Sequence, residues 1–270
     1  MRKLKSFLNL FNKKALKIEK RVRFIVSSLV LTFLMFVATF FFFDKAPIFI
    51  ISFLVAGYFL IYFAIIEGIE RVEWFTLFLM PIVLSLAFYL FYFLFPGRWL
   101  TRLPFIIIYA ISIYANFLIA NIFNVKVEKS LQLYRAAFSV NFFFQTLVVF
   151  LIFNSIFSFH FGFITDGLVS GVVVFLLSLQ LYWSVKMPSF LEREIISYSV
   201  LTSLLVTELV VIFSFTALPG TILALFMAAS YYSFSGLVCS YLDQRLFRET
   251  IREYLFVWGF VFLIMILSMK

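Results

Sequence analysis

Nine long apolar runs follow one another along this chain, roughly at 22–43, 48–66, 75–95, 105–124, 136–157, 165–185, 195–216, 220–241 and 255–269, with nearly all charge, proline and turn residues confined between them. A run of about 20 apolar residues matches a bilayer's hydrocarbon core, about 30 Å thick. Backbone amides find no water there, so each run must satisfy them internally as an α-helix. The expected fold class is therefore all-α: a polytopic transmembrane helix bundle of about nine spans, with an N-terminal amphipathic interfacial helix. At 64% hydrophobic, 13% charged and a mean hydropathy of +1.11, the chain carries more apolar side chain than a soluble core could hide.

Two segments are expected, a basic amphipathic cytoplasmic piece at 1–21 and a single transmembrane helical domain at 22–270. In the first, Leu4, Phe7, Leu8, Phe11, Ala15 and Ile18 recur at helical spacing, with lysines largely off that stripe. The run from Val22 to Phe43 is too long for a signal-peptide core and lacks a small-residue cleavage site, so it reads as the first span. The net charge of +9 concentrates at the N-terminus, in Arg2, Lys3, Lys5, Lys13, Lys14, Lys17, Lys20, Arg21 and Arg23. Basic charge beside a hydrophobic span fits a lipid bilayer with an anionic inner leaflet as the partner, and not a nucleic acid.

Basic residues are retained on the cytoplasmic side, so their distribution orients the bundle. With the N-terminus inside, the outer segments hold Lys45, Arg98, Arg102 and Lys270 and the inner ones the other 18 of the 22 basic residues. The expected location is the cytoplasmic (inner) membrane, with an external C-terminus. Pro47, Pro96, Pro104, Pro188 and Pro219 fall at expected span ends, and Pro81 falls inside a span, where a kink is expected. The ninth run is the shortest, and an interfacial helix is expected before it, over 242–255, either extending span eight or beginning span nine. No internal repeat supports an inverted-repeat transporter.

Four strings stand out: GluGlyIleGluArgValGluTrp at 67–74, GlnLeuTyrArgAlaAla at 132–137, ThrGluLeuVal at 207–210 and ArgLeuPheArgGluThrIleArgGluTyrLeu at 245–255. Together they resemble an uncharacterised family of multi-spanning bacterial membrane proteins that carries only a domain-of-unknown-function label, over most of the chain from about residue 65. The resemblance implies membrane residence and bacterial origin. It brings no activity, substrate or catalytic residue.

Glu208 is the sharpest chemical feature, an acid deep in the seventh run whose own-helix neighbours Leu204, Leu205, Val211 and Ile212 are apolar. Depth arithmetic names Asn116 and Gln145 as its first expected partners, a candidate intramembrane polar site. One reading is a protonated acid that hydrogen-bonds to an amide and holds helices together; the other is a site coupled to an ion or substrate. Asn121, Asn124, Asn141, Asn154 and Gln180 add amides that either cross-link helices or line a path.

Gly167 and Gly171 form a GxxxG pair, and Gly220, Ala224 and Ala228 repeat small residues every fourth position, both patterns suited to close helix packing. Glu67, Glu70 and Glu73 make a candidate cytoplasmic acidic loop around Arg71, either a cation or basic-partner site or a solvated, self-paired loop. A single cysteine, Cys239, and a single histidine, His160, leave no disulfide and no His/Cys metal cage, so no metal or cofactor is expected.

No phosphate loop, nucleophile elbow, zinc-protease pair or dinucleotide fingerprint occurs. The leading expectation is a non-catalytic assembly or interaction component of the cytoplasmic membrane, with a membrane-protein partner. The alternatives are an ion-coupled transporter or lipid translocator using Glu208, and an intramembrane lipid-modifying enzyme. The last would require a second acid or histidine at the depth of Glu208.

Overall fold

The computed structural model describes residues 16–41, 45–66, 73–95, 98–125, 132–159, 161–216 and 218–268. Their secondary structure is α-helical: α1 (Lys20–Ala38), α2 (Ala46–Ala64), α3 (Glu73–Tyr92), α4 (Trp99–Asn124), α5 (Gln132–Phe159), α6 (Phe163–Lys186), α7 (Arg193–Phe213), α8 (Gly220–Leu242) and α9 (Arg248–Leu267). Among the described residues all nine are long and apolar enough to cross a membrane, so the chain is a multi-pass membrane protein. The expected amphipathic stripe from Leu4 to Ala15 lies outside the described residues, and the stretch from Leu16 to Glu19, which holds Ile18, precedes α1 without helix.

Helix ends depart from the hydropathy boundaries where specific groups take the terminal carbonyls. The first span stops at Ala38 and not at Phe43, with Thr39 as its C-cap. There the Arg102 guanidinium donates to the Thr39 carbonyl at 3.1 Å and lies over the Phe40 and Trp99 rings at 4.2 and 5.1 Å. A cation at a helix C-terminus offsets the negative end of the macrodipole, and the aromatic faces desolvate it favourably. Arg102 therefore belongs to a continuous α4 that starts at Trp99, which puts Pro104 inside the helix and corrects its assignment to a span end. Pro104 lacks the amide that would bond to the carbonyl of Leu100, a strongly exposed residue near the helix start.

The other prolines sit as their chemistry asks. Pro47 occupies the first turn of α2, Pro219 is the N-cap of α8, and α3 runs on through Pro81, whose carbonyl accepts the Ser85 hydroxyl at 2.8 Å. The ninth span is a full 20-residue helix beginning at Arg248, so its charged first turns belong to the span itself. Of the two placements expected for the helix over 242–255, the second is found from Arg248 on and the first is interrupted: α8 ends at Leu242, Gln244 adopts a left-handed φ of 57°, and the Arg245 amide closes back on the Ser240 carbonyl at 2.8 Å.

The helices gather into two compact units, residues 1–89 with 96–134 and residues 90–95 with 135–270. In the first, α1 packs on α2 and α4. Ser27 donates to the Leu60 carbonyl at 3.2 Å, Tyr89 stacks at an angle on Phe53, and buried Tyr109 shares a 2.8 Å hydrogen bond with Ser85. In the second, α6 pairs most extensively with α7, α8 touches both, and α9 packs on α8.

The α6–α7 pair is a tight hairpin. Met187, at φ 48°, ends α6 in the left-handed conformation; the Trp183 indole donates to the Pro188 carbonyl at 3.1 Å, and Lys186 bonds Glu194 at 2.6 Å across the turn. Farther along, a Cβ added at Gly171 would lie 2.7 Å from Thr207 Oγ1, and one at Gly167 would lie 3.1 Å from Val211. The two backbones approach closely enough for Ser203 to donate to the Gly171 carbonyl at 2.7 Å. Small residues are what permit such an approach in lipid. Gly220 approaches Phe157 with similar intimacy, while Ala224 and Ala228 are buried in α8.

Candidate functional site

The polar interior of the second unit is built from α5, α6 and α8. Asn141 and Gln145 are four residues apart on α5 and so share a face. Opposite them, Gln180 of α6 accepts from the Asn141 amide at 3.2 Å and from the Gln145 amide, while the Tyr231 hydroxyl of α8 donates to Gln145 Oε1 at 2.5 Å. Gln145 is 0% and Gln180 3% exposed. One layer along, Thr202 of α7 donates to the Tyr198 carbonyl at 3.0 Å and shares a 2.6 Å bond with the Tyr182 hydroxyl of α6.

This lattice consists of amides and hydroxyls that carry no charge at neutral pH. It contains no carboxylate and no imidazole to move a proton, and apart from Asn141 Oδ1, which has no partner among the described residues, its amide groups are engaged with one another and with Tyr231. Chemically it ties helices together, because each broken bond would leave a polar group in a nearly anhydrous interior.

Glu208 stands apart from it. The carboxylate is on the exposed face of α7 and makes no hydrogen bond or ion pair among the described residues. The expected pairing with Gln145 does not form, since both ends of that amide are occupied by Gln180 and Tyr231. Asn116 belongs to the first unit, where its amide donates to the Ser112 carbonyl of its own helix at 2.9 Å and its Oδ1 has no partner among the described residues. The three residues of the candidate intramembrane site are thus three separate environments: a lattice member, an intrahelical donor and an outward acid.

Asp166 is an acid that hydropathy alone did not single out, because it lies near the start of its run. In the structure it is buried in the first turn of α6, where the positive end of the helix dipole favours a carboxylate. It lines a cavity of about 290 Å³ with Phe157, Phe163, Phe213, Ser214 and Thr216. Being buried on α6 while Glu208 is exposed on α7, it forms no carboxylate pair with Glu208. Glu67, Glu70 and His160 lie outside the described residues, as does the side chain of Glu73, the first residue of α3.

No family model matches this chain, and neither a curated protein nor a solved structure is found similar to it.

Proposed function

We propose that the protein is a non-catalytic assembly or interaction component of a cytoplasmic membrane, acting through the exposed side of α7. The observation that carries this reading is Glu208, an acidic group on the outer surface of a membrane-crossing helix. An acid in hydrocarbon is costly unless another group answers it, and Glu208 has no answering group within the described chain. Contact with another membrane protein resolves that cost. The buried amides support the same reading, because they bond to one another across α5, α6 and α8 and none extends a polar path to Glu208.

Coupled transport through Glu208 would need such a path, starting at Gln145, whose amide is already engaged on both sides. An intramembrane enzyme would need Asp166 or another acid to act with Glu208, and Glu208 interacts with no described residue. The basic N-terminal tail supports an inside N-terminus, because it fits an anionic inner leaflet.

The test is photocrosslinking in native membranes from a photoreactive residue at Leu204 or Ile212, each one helical turn from Glu208 on its exposed side. A discrete protein adduct is expected at both positions, falling severalfold when Glu208 is replaced by leucine. Adducts to lipid alone at both positions would remove the reading.

A further inference from the structure

We propose that α7 carries a docking seam for a transmembrane helix of a different protein, and that this partner helix bears a lysine or arginine at the depth of Glu208. The inference rests on the interaction reading above and adds the partner's chemistry. One side of α7 is committed inward: Thr207 and Val211 meet the glycines of α6, and Val206 and Val210 are buried. The opposite side presents Ile196, Val200, Leu204, Glu208 and Ile212, every fourth residue and all exposed. Such an i±4 row is the ridge that packs into a groove of a neighbouring helix. It is apolar throughout except for one acid.

Depth excludes the simpler ways of satisfying that acid. Glu208 lies five residues before the last residue of α7, Phe213, or about 8 Å from that end. Helical side chains lean toward the N-terminus of their own helix, so the carboxylate is tilted toward the helix middle and away from the nearer end. A phospholipid amine at the headgroup level is therefore on the wrong side of it.

A second copy of this chain also fails to supply the counter-charge. On the side where the proposed threading ends α7, the described lysines and arginines are Lys45 and Arg98, each the N-cap before its helix, and Arg102, whose buried guanidinium is held by the Thr39 carbonyl and the Phe40 and Trp99 rings. A symmetric pairing through the seam would set acid against acid. The complementary surface is thus a helix whose basic residue sits about one and a half turns inside the bilayer, with leucine-sized side chains on either side of it.

The test reconstitutes the full-length protein in phosphatidylcholine vesicles with a synthetic leucine-alanine helix of about 20 residues. The helix carries either lysine or leucine about 8 Å from one end, and association is read by energy transfer between labels. The lysine helix should associate about tenfold more tightly than the leucine helix. With Glu208→Gln, which preserves size and shape, that preference should fall to about one. With Glu249→Gln, an exposed acid at the start of α9, it should persist. Equal association of the two helices with the wild type, a preference that survives Glu208→Gln, or Glu208-dependent self-association that the lysine helix does not displace would each overturn the proposal. If it falls while the Leu204 and Ile212 positions still give a protein adduct in native membranes, the interaction reading stands and only the partner's chemistry is wrong.

Discussion

Gln145 shows how a single side chain organises its surroundings. Its carbonyl oxygen takes the Tyr231 hydroxyl and its amide reaches Gln180, so one residue of α5 touches both α8 and α6. Gln145→Leu keeps the volume but strips the acceptor from Tyr231 and the donor from Gln180. Interhelical hydrogen bonds in membranes average about 0.6 kcal/mol and reach about 1.7 kcal/mol, so a loss of about 1–2 kcal/mol is expected for a residue making two. A double-mutant cycle with Tyr231→Phe, followed by denaturant titration in detergent, should give a coupling of about 0.5–1 kcal/mol; additive losses would show that the bond contributes nothing. That polar residues stand within these apolar runs was legible from the sequence. Which of them meet was not, because spacing within one helix carries no information about the neighbouring helix.

At the level of elements, the α6–α7 hairpin is where the sequence pattern and the packing correspond most directly. The GxxxG pair marks a surface without side chains, and the structure sets Thr207 and Val211 against it. Gly171→Ala brings a methyl group against Thr207 Oγ1, and overpacking of this kind costs about 1–3 kcal/mol. Thr207→Ala in the same chain removes the colliding oxygen and should restore most of the lost unfolding midpoint; no restoration would mean that the two helices are held elsewhere.

Helix α9 is a contrasting element. Its inner side is bound through Trp258 to Ser230 at 3.0 Å and through the Tyr254 carbonyl to Ser233 at 3.2 Å, while Phe256, Phe260 and Leu263 point outward. Hydropathy undercounts this span because its first two turns are charged. The backbone continues as helix regardless, since Arg248 and Glu249 at a membrane surface keep their water while their carbonyls accept from amides one turn farther along the helix.

For the whole molecule, the threading proposed from the basic residues puts the N-terminus inside, and with the nine spans of the described residues it sets the loops alternately in and out. Cys239 is buried, so it adds little background to labelling of introduced cysteines. Lys45→Cys, before α2, should react with a membrane-impermeant maleimide from outside intact cells, and Arg193→Cys, at the start of α7, only after the membrane is opened. Labelling of both from the same side would contradict the threading. The basic-residue count was readable directly from the chain because charge retention acts on each loop separately. The division into two units was not, since it depends on which helices share neighbours.

Local composition is enough to name the solvent and its consequence. Runs of apolar residues this long dissolve in hydrocarbon, and a backbone there must coil on itself, so the number and class of the elements follow from local composition. Where each polar group points becomes readable only in the packed helices. Gln145, Asn116 and Glu208 all read as polar groups within apolar runs, yet one is locked into a lattice, one turns back on its own helix and one faces outward. The physical reason is that depth along a helix is a property of the chain, whereas azimuth has meaning only once neighbouring helices have taken their places.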